Sequence, residues 1–196
     1  MDWVKLTYGT VYNVNDIAEY SLRTAIEIFN VYDALRELEI EGKTALDLGC
    51  GYGRLTYVLT KFAEYVIGLD VRSEVVELAK KTYRDLHNVD FYVYDGKSIP
   101  FPDDYFDIVL TNTVLQHIED IHVIAKEVNR VCNDWLIVIE TNKGITTKGM
   151  YPRPISVYSR LFDKFKLIKV KPRMTLINGE IRYSGTIVIY RKYNIT

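Results

Sequence analysis

Hydrophobic positions along this chain follow two rhythms. Over residues 16–38 (DIAEYSLRTAIEIFNVYDALREL), Ile17, Leu22, Ile26, Phe29, Leu35 and Leu38 recur at loosely helical spacing, which predicts one or two helices. From residue 43 onward, short continuous apolar runs alternate with amphipathic stretches. The runs are 43–48 (KTALDL), 65–70 (YVIGLD), 89–94 (VDFYVY), 106–111 (FDIVLT) and 135–140 (WLIVIE). Between them, helices are predicted over 53–64, 73–86 and 120–131. Ser73 reads as the N-cap of the second, and Ile121, Ile124, Val128 and Val131 share one side of the third. Strands that are apolar throughout, separated by helices, predict an α/β fold with a parallel sheet covered on both faces. Each crossover between neighbouring parallel strands is then expected to be right-handed.

After residue 141 the rhythm loosens. A helix is predicted near 157–162 and two more strands over 165–170 and 185–190. Asn178-Gly179 between them carries a hairpin signal, so the sheet is expected to close with an antiparallel pair. The short apolar strand 186–190 is expected at a sheet edge, where it offers a pairing surface to a second copy. The oligomeric expectation is therefore monomer or homodimer.

Composition bounds the picture. At 196 residues, the chain suits one domain with one well-buried core. No apolar run approaches the roughly 20 residues that span a bilayer. The first residues, MDWVKLTYGT, lack the basic and apolar regions of a secretory signal, so a cytoplasmic protein without membrane attachment is expected. Two cysteines, Cys50 and Cys132, make neither a disulfide framework nor a zinc site, and no metal is expected. Charge is unevenly placed. Residues 1–140 hold 13 Lys+Arg against 24 Asp+Glu, a net of −11; residues 141–196 hold 12 against 2, a net of +10. Such asymmetry marks either a surface for an anionic partner or a basic segment that balances an acidic one.

The most informative segment is Ala45-Leu-Asp-Leu-Gly-Cys-Gly-Tyr-Gly-Arg54. An apolar strand carries an acidic residue near its end, and glycines follow at 49, 51 and 53 before a helix. Glycines there permit a tight turn and close approach of a ligand to the backbone, beside the unpaired amides of a helix N-terminus. Dinucleotide binders use G-x-G-x-x-G/A, whose last small position here is Arg54, so the spacing speaks against that class.

This segment resembles the first motif of the class I S-adenosylmethionine (SAM)-dependent methyltransferases, particularly their small methyltransferase-11-like subfamily. The resemblance covers about residues 40–140. Asp70 in VIGLDVR matches the acidic residue that takes the ribose hydroxyls, Asp95-Gly96 matches the signature that meets adenine, and FDIVLTNTVLQHIED matches the fourth strand with polar residues at its end. The resemblance implies a Rossmann-like fold with a seven-stranded, mostly parallel sheet, helices on both faces and an antiparallel last strand. It implies a single domain: a helical cap over 1–40, a SAM-binding core over 41–141, and a substrate-side insertion with the last two strands over 142–196. It implies SAM as cofactor and S-adenosylhomocysteine as product, with contacts from Asp47, Gly49, Cys50, Gly51, Tyr52, Gly53, Arg54, Asp70, Val71, Asp95, Gly96 and Asn112. Tyr8 and Tyr12 precede the first helix, where such enzymes often close a lid.

His117 is the one acid–base candidate near that site, and helix capping is its alternative role. The strand-four end, Thr111-Asn112-Thr113-Val114, is not the [DNS]-P-P-[YFW] box that grips an amide or exocyclic amine. No Pro-Cys pair offers a nucleophile for a pyrimidine carbon. The expected reaction is methyl transfer to an oxygen, amine or carboxyl nucleophile of a small molecule. Two other readings stand beside it: a methyltransferase of RNA, DNA or an anionic protein using the basic last third, and a SAM-binding module without catalysis. The family's R-V-L-x-P-G-G turn is absent; Arg130-Val131-Cys132-Asn133-Asp134-Trp135 stands in its place.

Overall fold

The computed structural model describes residues 14–141 and 149–193, with side chains from residue 19. Tyr8 and Tyr12 lie outside the described residues. Seven strands form one sheet: β1 Gly42–Leu48, β2 Ala63–Asp70, β3 Val89–Val93, β4 Phe106–Asn112, β5 Cys132–Glu140, β6 Phe165–Ile177 and β7 Glu180–Lys192. Their order is β3-β2-β1-β4-β5-β7-β6. Strands β1 to β5 pair in parallel, and β7 runs antiparallel to both β5 and β6, so the expected sheet is the one observed. Among the described residues five α-helices flank it: α1 Val14–Glu37, α2 Arg54–Leu59, α3 Ser73–Thr82, α4 His122–Val131 and α5 Ile155–Leu161.

Continuous apolar strands follow from two-sided burial. On β5, Leu136 and Val138 face one core with Ile124, Val128, Tyr158 and Phe162 from α4 and its successor segment. Ile137 and Ile139 face the other, with Val31, Ala34 and Leu35 of α1 and Leu55, Val58 and Leu59 of α2. Successive side chains on a strand point to opposite faces, so both sets must be apolar.

The expected boundaries shift where tertiary pairing overrides local pattern. The helix predicted over 53–64 ends at Leu59, because Ala63 already pairs with Gly42 to open β2. Ser73 does not cap α3: Arg72 occupies that position with no side-chain cap, and the helix ends at Thr82 rather than 86. The third crossover helix starts at His122, whose amide is taken by Asp120. It passes directly into β5 at Cys132, which leaves no room for a proline–glycine turn. In α1 the buried face is Ile26, Val31, Ala34 and Leu35, whereas Leu22 and Phe29 point outward.

The late strands are much longer than expected, and β7 is an interior strand. The open edges are β3 and β6, so the expectation of an edge at 186–190 is corrected. Asn178 (φ 52°) and Gly179 (φ 76°) form the hairpin turn, and two positive φ values match the twist of a tight hairpin. Residues 180–185 run past Glu140, the last paired residue of β5, so the hairpin overhangs the carboxyl end of the sheet. Register shifts between Pro172 and Met174, and Arg173, in that irregularity, is buried.

Candidate active site

Strand order reverses between β1 and β4, which is where ligands bind in open α/β sheets. A cleft of about 510 Å³ opens there, within the range of small-ligand sites. The glycine loop forms its floor through Gly49, Cys50, Gly51 and Tyr52, with Arg54 at the start of α2. Gly49 has φ 79°, and a Cβ there would collide with Val114. Gly51 has φ 54°, and a Cβ built there would meet nothing closer than Arg72 Nη2 at 3.9 Å. The loop therefore presents bare backbone to whatever enters.

Two carboxylates stand at the carboxyl ends of their strands, Asp47 next to last in β1 and Asp70 last in β2. Asp47 is buried and accepts the Thr56 hydroxyl at 2.6 Å, which ties β1 to α2. Burial pushes its carboxyl up to about 6, with the neighbouring Asp70 charge adding to the shift and the Thr56 bond opposing it. Asp70 accepts the Gly51 amide at 2.9 Å, and its other oxygen accepts Nε of Arg72 at 3.1 Å. Val71 and Gly96 line the same end.

Arg54 is held rather than solvated. It pairs with Glu27 of α1 at 2.9 Å, donates to Thr24 Oγ1 at 3.0 Å, and lies over the Tyr52 ring at 5.0 Å. Asn112 and His117 line the opposite wall. His117 ends a short 3₁₀ turn, Leu115–His117, and its ring nitrogen meets Gln116 Nε2 at 3.3 Å.

Two predicted residues stand apart. Gly53 serves as the left-handed N-cap of α2 (φ 89°) and is not part of the cleft lining. Asp95 is exposed, and its Oδ1 accepts the amides of Lys97 (2.8 Å) and Ser98 (2.7 Å). Those bonds hold its carboxyl below the ordinary aspartate value. Cys50 stays a thiol: burial, then the charges of Asp47 and Asp70, push its ionisation far up.

Sequence reasoning missed Glu140, Arg153 and Arg173. Glu140, the last residue of β5, is buried and accepts three consecutive amides, those of Val114, Leu115 and Gln116. Its position at a strand's carboxyl end was the one available signal. Arg153 and Arg173 looked like members of a basic surface segment. In the structure much of that segment is neutralised internally. Lys169 and Lys171 pair with Glu37, Lys171 also with Asp33, Lys192 with Asp104, Arg191 with Asp134 at 2.8 Å and Arg182 with Glu180 at 2.6 Å. The balancing role of the two charged halves is thus realised by direct contacts.

Among the described residues, no cluster of His, Cys, Asp or Glu gathers to hold a metal, and no helix is long and apolar enough to cross a membrane. Residues 46–134 match the sequence model of the methyltransferase domain family. A demethylmenaquinone methyltransferase of Staphylococcus saprophyticus is 28% identical over 144 residues, covering 67% of this chain and 62% of that protein. An uncharacterized methyltransferase of Bacillus subtilis, YcgJ, is 34% identical over 88 residues, covering 44% of this chain and 35% of that protein. This chain thus spans less than two thirds of either relative. Among solved structures, a SAM-dependent methyltransferase from Aquifex aeolicus superposes with a TM-score of 0.69 at 21% identity, covering 93% of this chain and 100% of that one. The PH0226 protein of Pyrococcus horikoshii superposes with 0.69 at 19% identity, covering 88% and 91%.

Proposed function

We propose that this chain, which matches the methyltransferase domain family over residues 46–134 and shares the fold of SAM-dependent methyltransferases, methylates an oxygen, amine or carboxyl nucleophile of a small molecule held against the cleft. The observation that carries this reading is the open glycine backbone flanked by Asp47 and Asp70 at the switch point of the sheet. Those groups fit SAM by their chemistry. A carboxylate accepts two hydrogen bonds from a diol, so Asp70 takes the ribose, in place of the Arg72 guanidinium that it now accepts. The loop of Gly49, Cys50, Gly51 and Tyr52 carries the methionine end, with Gly53 opening α2 behind it. Arg54 meets its carboxylate, with Glu27 fixing the guanidinium. Asp47 pins the loop through Thr56. Asn112 serves the amino group. At the other end Val71 flanks the adenine, and Asp95 shapes the Gly96 turn beside it.

Bound SAM supplies an activated methyl on a sulfonium and leaves as S-adenosylhomocysteine. The protein's work is alignment and exclusion of water, and alignment alone contributes on the order of 7–11 kcal/mol in well-oriented reactions. His117 takes the proton when the nucleophile is a hydroxyl, and is idle when no proton must leave.

Calorimetric titration with S-adenosylhomocysteine tests the cofactor assignment. Micromolar binding is expected, lost in Asp70→Ala. Folded protein that binds neither SAM nor its product overturns the reading. Transfer of labelled methyl to any acceptor excludes a module without catalysis.

A further inference from the structure

We propose that Glu140 and Arg153 are positioning residues that clamp the turn 113–118 from opposite sides and so set the wall of the cleft facing the glycine loop. The inference rests on the reading of that cleft as a SAM site. It starts from a conformation that calls for explanation. Thr113 sits at φ 56°, in the left-handed region that a β-branched residue rarely adopts. Such backbone persists only where its surroundings over-determine it, and it gathers at functional sites. Thr113 lines the cleft, and the next residue, Val114, packs so closely on Gly49 that no Cβ fits there.

The surroundings that determine this turn are two charged side chains. On the amide side, Glu140 Oε1 accepts Val114 N at 3.1 Å and Leu115 N at 2.9 Å, and Oε2 accepts Gln116 N at 3.1 Å. The carboxylate thereby caps the 3₁₀ turn from across the sheet, where an acidic group is favoured by unpaired amides. On the carbonyl side, Arg153 donates to Leu115 O (3.0 Å), Ile118 O (2.7 Å), Glu119 O (2.6 Å) and Tyr151 O (2.9 Å). The planar fork of a guanidinium suits several acceptors at once. The backbone closes the same contact, with Tyr151 N on Gln116 O at 2.6 Å and Thr113 N on Ile139 O at 2.8 Å. Neither Glu140 nor Arg153 lines the cleft itself. Its effect reaches the cleft through Thr113, Val114 and His117.

Glu140 also makes the clamp sensitive to protons. Burial raises its carboxyl to about 7, against the opposing pull of the three amides and of Arg173. The titratable and charged groups around it are Arg173 from β6 and Tyr158 from α5, with Arg153 beyond Tyr158. A protonated Glu140 loses acceptor strength toward the turn. Cofactor affinity should therefore fall as pH drops through about 7.

Calorimetry with S-adenosylhomocysteine on the full chain tests this, using wild type, Glu140→Gln, Arg153→Lys and the double variant Glu140→Gln/Thr113→Gly. Glutamine keeps one acceptor and replaces the other with a donor, so about a tenfold loss of affinity is expected at pH 8, and a similar loss in Arg153→Lys. The wild-type fall between pH 8 and pH 6 should be absent in Glu140→Gln. Glycine adopts positive φ freely, so Thr113→Gly should recover part of the loss; a purely structural role for Glu140 would show no such rescue. Wild-type binding with Glu140→Gln equally tight at every pH overturns the clamp and leaves the cofactor reading standing. Wild type that binds nothing overturns both. Should Glu140→Gln fail to fold, the wild-type amide resonances decide. A concerted shift of Val114, Leu115 and Gln116 with a midpoint near 7 supports the clamp, and no shift between about pH 5.5 and 8.5 overturns it.

Discussion

Asp47 illustrates how a site residue acts against the stability of its own fold. Its carboxyl is buried with one hydroxyl partner, and its ionisation is raised from 3.8 to about 6. The sign follows from linkage. An acid whose folded value lies above its unfolded value stabilises the fold below the unfolded value, and that contribution is lost as pH rises through the folded one. Near pH 7.5 the ionised group therefore costs up to about 3 kcal/mol. Asp47→Asn keeps an acceptor for Thr56 and removes the charge. Urea unfolding should show the variant about 2–3 kcal/mol more stable than wild type at pH 7.5, with the gap closing toward pH 4. The same variant should bind S-adenosylhomocysteine more weakly. A wild-type protein as stable as the variant at pH 7.5 would mean that Asp47 is not desolvated as described.

At the scale of elements, the position of α1 matters most, because its Glu27 holds Arg54 at the cleft. The helix is docked on β6 by Asn30, whose side chain donates to Met174 O at 2.8 Å and accepts Met174 N at 3.2 Å. Both partners are backbone groups at a buried contact, so Asn30→Ala leaves a donor and an acceptor unpaired. A loss of about 2 kcal/mol is expected by chemical denaturation, together with weaker binding of S-adenosylhomocysteine as Arg54 loses its support. The ion pairs of Lys169 and Lys171 with Glu37 lie nearer the surface. Exposed pairs are screened, so Glu37→Gln should change stability little at physiological salt. The hairpin turn provides a separate check. Gly179→Ala forces a side chain into positive φ and should cost about 1 kcal/mol. No residue of this hairpin lines the cleft, so cofactor affinity should hold.

For the whole molecule, the two oppositely charged halves fold onto each other. Because Lys169, Lys171, Arg191 and Lys192 are engaged by Glu37, Asp33, Asp134 and Asp104, these four cations are not free to displace counterions from a polyanion. Fluorescence anisotropy with single-stranded RNA should show a shallow dependence on salt and no micromolar binding at about 0.15 M. Steep salt dependence would instead revive a nucleic-acid acceptor. Cofactor binding should also raise the thermal midpoint in proportion to the logarithm of ligand excess, since only the folded cleft presents the loop and both carboxylates together.

The amino-acid order alone determined a good deal of this protein. Apolar runs bounded by glycine and polar residues specified the parallel strands, because two-sided burial leaves no alternating pattern to mistake. The spacing of Gly49 and Gly51 after Asp47, with Asp70 at the end of β2 and Gly96 in the loop after β3, marked the cleft, because backbone freedom and carboxylate chemistry depend on residue type. Tertiary structure decided the rest. The late strands grew to 13 residues each, since strand length is set by the partner available and not by local propensity. Asp95 turned to its own loop, as short acidic side chains do when amides lie two residues on. Net charge by segment could not tell a docking surface from an internal counterweight, because that depends on which carboxylates lie opposite. Glu140 and Arg153 are remote in sequence from each other and from most of the turn they hold, and only folding reveals that one carboxylate and one guanidinium share it.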